Sequence, residues 1–243
     1  MTLLRVDGLS KSFKGLRAVD DVSFQVAEGS ILGVIGPNGA GKTTMFNLVT
    51  GALRPDSGRV HLDGKEITGY PPHKVTAAGM TRTFQLMRPF YSMTVLENVT
   101  VAVLAGGAAK RTARTAAAEL TERVGLGPWR DAPTEGLPTA ALKRLELARA
   151  LAAKPRVLLL DEVLAGLVPA EREPVMDQLN RLRTDDGVTL VFVEHIMAAV
   201  MRLSDSVLVL DQGSVLTSGT PEAVTRDPRV IEAYLGEDPH AQA

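Results

Sequence analysis

Short apolar runs alternate with stretches of helical spacing along most of the chain. Residues 3–6, 22–26 and 31–35 are runs of four or five mostly apolar residues with Gly, Asp or Ser at their edges, which predicts strands. Residues 59–63 read as a further strand, closed by Asp63-Gly64. The 31–35 run leads directly into a glycine-rich turn, and helical spacing starts at Lys42. Residues 71–79 open on two prolines, which the first turn of a helix tolerates, and read as helix. A strand is predicted over 80–84, helices over 94–104 and 110–124, and a loop over 125–138, where Gly and Pro accumulate. Leu142, Leu145, Ala148, Leu151 and Ala152 recur at helical spacing. Residues 157–160 are wholly apolar, as in a parallel sheet covered on both faces. Helix 169–183, strand 188–193, helix 196–203 and strand 207–210 follow. This alternation predicts an α/β fold around a largely parallel sheet, with an antiparallel β part near the N-terminus and a helical insert. The expected division is a core lobe of residues 1–85 and 151–243, interrupted by a mostly helical subdomain at roughly 86–150.

Composition narrows the function. The 243 residues carry a formal net charge of -1, with 45% hydrophobic and 23% charged residues, the balance of a folded globular chain. A near-neutral chain lacks the clustered positive charge that draws proteins to nucleic acid, so no nucleic-acid partner is expected. There is no cysteine, which removes disulfides and thiolate metal sites and fits a reducing compartment. The first ten residues show no secretory signal, and no apolar run approaches the ~20 residues of a membrane-spanning helix.

The chemistry concentrates in two places. Gly36-Pro37-Asn38-Gly39-Ala40-Gly41-Lys42-Thr43, followed by Thr44, fits the phosphate-loop pattern G-x-x-x-x-G-K-[ST], with an apolar strand before it and a helix after. Glycines let the backbone curl so that N–H groups converge on phosphate oxygens, and the helix adds the positive end of its dipole. Lys42 is expected to reach the terminal phosphates and the Thr43 hydroxyl to ligate Mg²⁺. Residues 158–162, Leu-Leu-Leu-Asp-Glu, form an apolar strand that ends in carboxylates. With the phosphate loop upstream, Asp161 is expected at the magnesium and Glu162 at the attacking water.

With these motifs the chain resembles the ATP-binding cassette family over nearly its whole length, which implies ATP and Mg²⁺ as ligands and ATP hydrolysis as the activity. The resemblance implies that Phe13 stacks on adenine, that Gln85 in Thr83-Phe84-Gln85 senses the metal and the water, and that His195 contacts the γ-phosphate. Read without the family, Phe13 is a core aromatic and His195 a hydrogen-bonded structural histidine at a strand end. Pro71-Pro72-His73, residues 82–85 and 93–99, Ala165-Gly166-Leu167 and residues 233–237 are similar to the ATPases of branched-chain amino-acid uptake systems. That implies a subunit on the cytoplasmic face of the cell membrane, held by membrane-spanning permease subunits, with a solute-binding protein as a further partner.

One motif departs from the family. Its members carry a signature close to Leu-Ser-Gly-Gly-Gln, which contacts ATP bound to the opposite subunit of a dimer. Here the same place holds Leu137-Pro138-Thr139-Ala140-Ala141. Val163, Val168 and Ile196 also replace residues usual in the family. Groups that act on the chain's own nucleotide are kept, and the losses fall on what would act across a dimer. The pattern implies a heterodimer with a second, non-identical cassette ATPase that has an intact signature; drift in this subunit is the other reading. A regulatory cassette that binds ATP and hydrolyses little is the alternative function. A soluble cassette ATPase of DNA repair or translation fits less well, because the chain has neither a long coiled-coil insert nor a second cassette. Residues 86–91 read either as a groove for a permease helix or as a small local core, and Lys110, Arg111 and Arg114 as a solvated helix face.

Overall fold

The structure, a computed structural model, describes residues 1–83 and 88–235. Two long strands, β1 (Thr2–Phe13) and β2 (Leu16–Ala27), pair as an antiparallel hairpin. β3 (Ile31–Ile35) and helix α1 (Lys42–Val49) follow, then β4 (Ser57–Leu62) and the two-residue β5 (Lys65–Glu66). Helix α2 (Pro72–Ala77) leads to β6 (Met80–Arg82). Helices α3 (Val95–Ala105), α4 (Lys110–Arg123) and α5 (Thr139–Leu151) come next, with a single 3-10 turn at Gly127–Trp129. The chain then alternates through β7 (Val157–Asp161), α6 (Pro169–Thr184), β8 (Thr189–Val193), α7 (Met197–Leu203) and β9 (Ser206–Asp211). It closes with β10 (Ser214–Gly219), α8 (Pro221–Thr225) and α9 (Pro228–Leu235).

Two sheets result. The first is antiparallel, in the order β2-β1-β4-β5, and the second runs β10-β9-β3-β8-β7-β6, parallel except for the β9–β10 hairpin. Side chains of a strand point alternately to its two faces, so a wholly apolar strand feeds two cores. Ile31, Ile35, Leu158 and Leu160 enter a core shared with α3, α5, α6 and α7. Leu32, Val34, Val157 and Leu159 enter the other, shared with α1 and the antiparallel sheet. Among the described residues, no helix is long and apolar enough to cross a membrane.

The predicted elements are present, with boundary changes that have clear causes. β1 and β2 run twelve residues each, well past the apolar runs at 3–6 and 22–26. Pairing is carried beyond those runs through irregular registers at Leu9, Lys11 and Ser12, with polar side chains at the rim. The strand expected over 59–63 starts two residues earlier, at Ser57, because Ser10 pairs with Ser57. β10, α8 and α9 lay outside the prediction: β10 is only half-buried and its sequence, SVLTSG, has no sustained alternation.

Candidate functional site

The register of the parallel sheet brings three chain segments to one edge. Val34 of β3 pairs with Val193 of β8, which pairs with Asp161 of β7. The loop after β3, Glu162 after β7, and Glu194-His195 after β8 therefore emerge side by side at the C-terminal ends of the strands, where ligands of open α/β sheets bind.

The loop after β3 is shaped by its glycines. Gly39 and Gly41 have φ of 80° and 95°, a region that disfavours side chains. At Gly41 a Cβ would also lie 2.4 Å from the carbonyl oxygen of Ala18, whereas the space before Gly39 is open. The Lys42 ammonium is buried and donates to the carbonyl oxygens of Gly36 at 2.5 Å and Pro37 at 2.8 Å, which ties the loop to the first turn of α1. No side chain caps the N-terminus of α1 and no acid lies in its first turn, so its dipole and N–H groups are offered to an anion.

Residues 38–44 line a cavity of about 720 Å³ together with Leu16, Arg17, Glu162 and His195. Glu162 Oε1 and His195 Nε2 are hydrogen-bonded at 2.8 Å. Phe13, 43% exposed, is not the core aromatic that one reading of the sequence expects. It does not line the cavity; Leu16, its partner across the hairpin, does.

Thr43 also borders a second cleft of about 920 Å³, whose walls include Asn47, Arg82, Arg88, Phe90 and Asp161. Asp161 Oδ2 pairs with Arg82 at 2.9 Å, while its Oδ1 is buried without a hydrogen-bond partner. Burial raises the Asp161 carboxyl above its ordinary value despite the guanidinium beside it, and burial lowers Arg82. A buried, orphaned carboxylate oxygen bordering the same cleft as a hydroxyl suits a hard divalent cation. Arg88 and Phe90 line this cleft, and Phe90 is 45% exposed beneath Arg149. Gln85, Leu86 and Met87 lie outside the described residues. Lys110, Arg111 and Arg114 are solvent-exposed on α4, as expected.

The sequence named Lys42, Thr43, Asp161, Glu162 and His195, which meet here, but missed Arg82, Lys143 and Glu194. Arg82 also donates to Asn47 Oδ1 at 2.6 Å, which joins β6 to α1. A cation within the strand predicted over 80–84 was the available signal for it. Pro138 occupies the N-cap position of α5, with no side-chain cap; Thr139 is exposed and Ala141 is buried.

A parallel sheet that feeds a lysine-bearing phosphate loop into a helix, with Asp-Glu at the end of a second strand, defines a phosphate-loop nucleotide triphosphatase. The sequence pattern of the ABC transporter family matches residues 19–165, and that of the branched-chain amino acid ATP-binding cassette transporters matches residues 214–240. The chain is 42% identical to the high-affinity branched-chain amino acid transport ATP-binding protein BraF of Pseudomonas aeruginosa, over 97% of this chain and 98% of the relative. It is 40% identical to LivG of Salmonella typhimurium, a protein of the same description, over the same shares. The crystal structure of the ADP conformation of an ATP-binding cassette of an ABC transporter superposes with a TM-score of 0.89, at 31% identity, covering 98% of this chain and all of that one. The chain belongs to the ABC transporter family and is an ATP-binding, ATP-hydrolysing transporter subunit.

Proposed function

We propose that this subunit drives the import of branched-chain amino acids, or of a similar small solute, and that ATP is hydrolysed at the chain's own phosphate loop. One observation carries the second part: Glu162 and His195, hydrogen-bonded to each other, share a cavity with residues 38–44. The branched-chain amino acid transport proteins to which the chain is 40–42% identical support the choice of solute.

In this reading Gly36 to Thr44 cradle the phosphates, with Lys42 neutralising charge as it develops. Phe13 stacks on adenine at the hairpin rim. Thr43, Asp161 and Gln85 would hold Mg²⁺, which would supply positive charge to offset that of the phosphates. Glu162 orients and polarises the attacking water, and His195 holds the γ-phosphate side of the site. The 920 Å³ cleft receives a permease helix, which keeps the subunit peripheral on the cytoplasmic face of the membrane. Residues 1–85 and 151–243 act as the core lobe and 86–150 as the helical subdomain, with α5 crossing between them. A solute-binding protein completes the importer.

The altered signature supports a heterodimer. Pro138 has no N–H, and Thr139 and Ala140 carry Cβ atoms where the family has glycine, so this chain gives little to nucleotide on a partner. A second cassette with an intact signature would complete the site built here. The altered signature also favours a second reading, a cassette that binds ATP as a regulatory ligand and turns over little. A pull-down of the tagged chain from gently solubilised membranes separates the two. Recovery of permeases with a second, intact cassette is expected; recovery of this chain alone, or with soluble proteins only, would overturn the transporter heterodimer.

A further inference from the structure

Behind the side chains that face the phosphate cavity lies a buried charged layer that the reaction above does not use. Lys143, in the first turns of α5, is 7% exposed, and its Nζ donates to the carbonyl oxygen of Glu162 at 2.7 Å. Glu194, next to the end of β8, is 1% exposed, and its Oε1 accepts the N–H of Leu164 at 2.8 Å. Burial pushes the Lys143 ammonium down and the Glu194 carboxyl up; their mutual attraction opposes both shifts. Buried charges are retained at a cost in solvation, which makes their placement worth explaining.

Their targets bracket Glu162. That residue has φ of 49°, a left-handed conformation unusual for a side chain of its size, which persists only where the surroundings over-determine it. Contacts on several sides hold it. Its N–H donates to Val193 O at 3.0 Å, its carboxylate meets His195, and its carbonyl accepts from Lys143 and from the Ala165 N–H at 3.2 Å. The first two partners sit at the end of β8, so Lys143 is the contact that comes from the helical layer. Glu194 grips the chain two residues beyond Glu162 and is itself followed by His195.

We propose that Lys143 and Glu194 are positioning residues: together they clamp the backbone of residues 162–164 and so fix the Glu162 carboxylate against His195 and at the phosphate cavity. Lys143 lies within five residues of Pro138, so the clamp ties the geometry of the hydrolytic group to the placement of the α5 N-terminus, the end that faces a second cassette. This inference rests on the reading that hydrolysis occurs at this chain's own phosphate loop.

The test uses the complex purified with its membrane partners and measures ATPase kcat and KM, ATP-analogue binding and thermal melting for E162Q, K143M, K143R and E194Q. E162Q establishes whether turnover belongs to this site; if turnover survives it, the reading of the site fails and the clamp fails with it. With E162Q inactive, K143M is expected to lower kcat by about tenfold to hundredfold, the scale of a misplaced reacting group. KM for ATP should stay within about twofold, because ground-state binding is untouched. K143R, which keeps a donor and the charge, is expected to recover most of the rate. E194Q keeps an acceptor for the Leu164 N–H but loses the charge facing Lys143, so a smaller fall in kcat at unchanged KM is expected. A wild-type kcat in K143M overturns the proposal. So does a K143M that loses kcat, ATP affinity and melting temperature in parallel without recovery in K143R, which is the signature of a merely structural lysine. Where K143M does not assemble, E194Q decides, and an unchanged kcat in that variant overturns the clamp.

Discussion

Arg82 and Asp161 show how little of this site can be moved one group at a time. Their side chains are 7% and 2% exposed, and they meet at 2.9 Å. Removing one member of a buried pair leaves the other charge uncompensated, at about 3–5 kcal/mol. Arg82→Met is therefore expected to lower unfolding free energy by that amount in nucleotide-free urea titrations; a loss below about 1 kcal/mol would mean that water already reaches Asp161. At the cavity, Glu162→Gln keeps the shape of the side chain and removes its basicity. Turnover should drop by about 10²–10⁴ while equilibrium ATP binding is unchanged, read by single-turnover hydrolysis and analogue titration. These two residues also mark what a sequence can disclose. The place of Glu162 beside the phosphate loop was legible because an apolar strand ending in Asp-Glu, with a phosphate loop upstream, points to the same edge of a parallel sheet. Arg82 was not, because its partner is set by strand register: β6 lies beside β7 with Arg82 opposite Leu159, two residues before Asp161. Lys143 was read only as part of a helix, and its acceptor is a backbone carbonyl, which no side-chain pattern announces.

Among the elements, termini carry the function and the ends of helices carry the testable energetics. The N-terminus of α1 is left uncapped for an anion, with Gly41 as the hinge into it. Gly41→Ala would place a methyl 2.4 Å from Ala18 O at a φ of 95°. Strain of about 1–3 kcal/mol from the dihedral alone is expected, with the clash added and nucleotide binding lost. By contrast α3 is capped by its own sequence: Thr94 Oγ1 accepts the Glu97 N–H and Glu97 Oε2 accepts the Thr94 N–H. Thr94→Ala should cost about 1 kcal/mol in thermal melts and leave ATP binding unchanged. At α9, Asp227 receives the Arg229 N–H, and the hydrogen bond from the Arg229 side chain holds its carboxyl down at about 2, from an ordinary 3.8. A depressed carboxylate stabilises the fold above its unfolded value and loses that contribution as pH falls through the folded value. The α9 cap should thus be intact above about pH 4 and lost toward pH 2, with an NMR midpoint for the Asp227 carboxyl near 2. The parallel strands were legible as elements because burial on both faces makes them wholly apolar. The extended rims of β1 and β2, and the whole of β10, were not, because cross-strand pairing alone holds half-exposed polar residues in a strand.

At the scale of the molecule, the heterodimer proposed above makes one cassette half of a two-part machine, in which the sequence of α5 sets how much it contributes to the other half. A signature with serine and glycines offers a hydroxyl and unobstructed N–H groups to a phosphate across the interface. Here α5 starts behind Pro138, with Thr139, Ala140 and Ala141 in its first turn. Each hydrogen bond lost to a charged phosphate weakens the contact by about 1.5–3 kcal/mol, so two homodimeric sites built from this chain would both be poor. On that proposal the chain alone is expected to hydrolyse ATP slowly even where it binds ATP well, because binding would draw on the loop after β3 and closure on a partner. Restoring the signature as a block, with Pro138→Ser, Thr139→Gly, Ala140→Gly and Ala141→Gln, should raise the ATPase rate of the purified chain at unchanged nucleotide affinity. Ala141 is 5% exposed and packed in the core beside Leu145, so the block needs a melting curve alongside the rate. A rate that stays flat in a variant that still folds and binds ATP would mean that α5 was never what limited the homodimer. A rate that rises, while the same four changes leave the rate of the assembled complex unaltered, would place hydrolysis at the phosphate loop of this chain and its completion in the partner's signature.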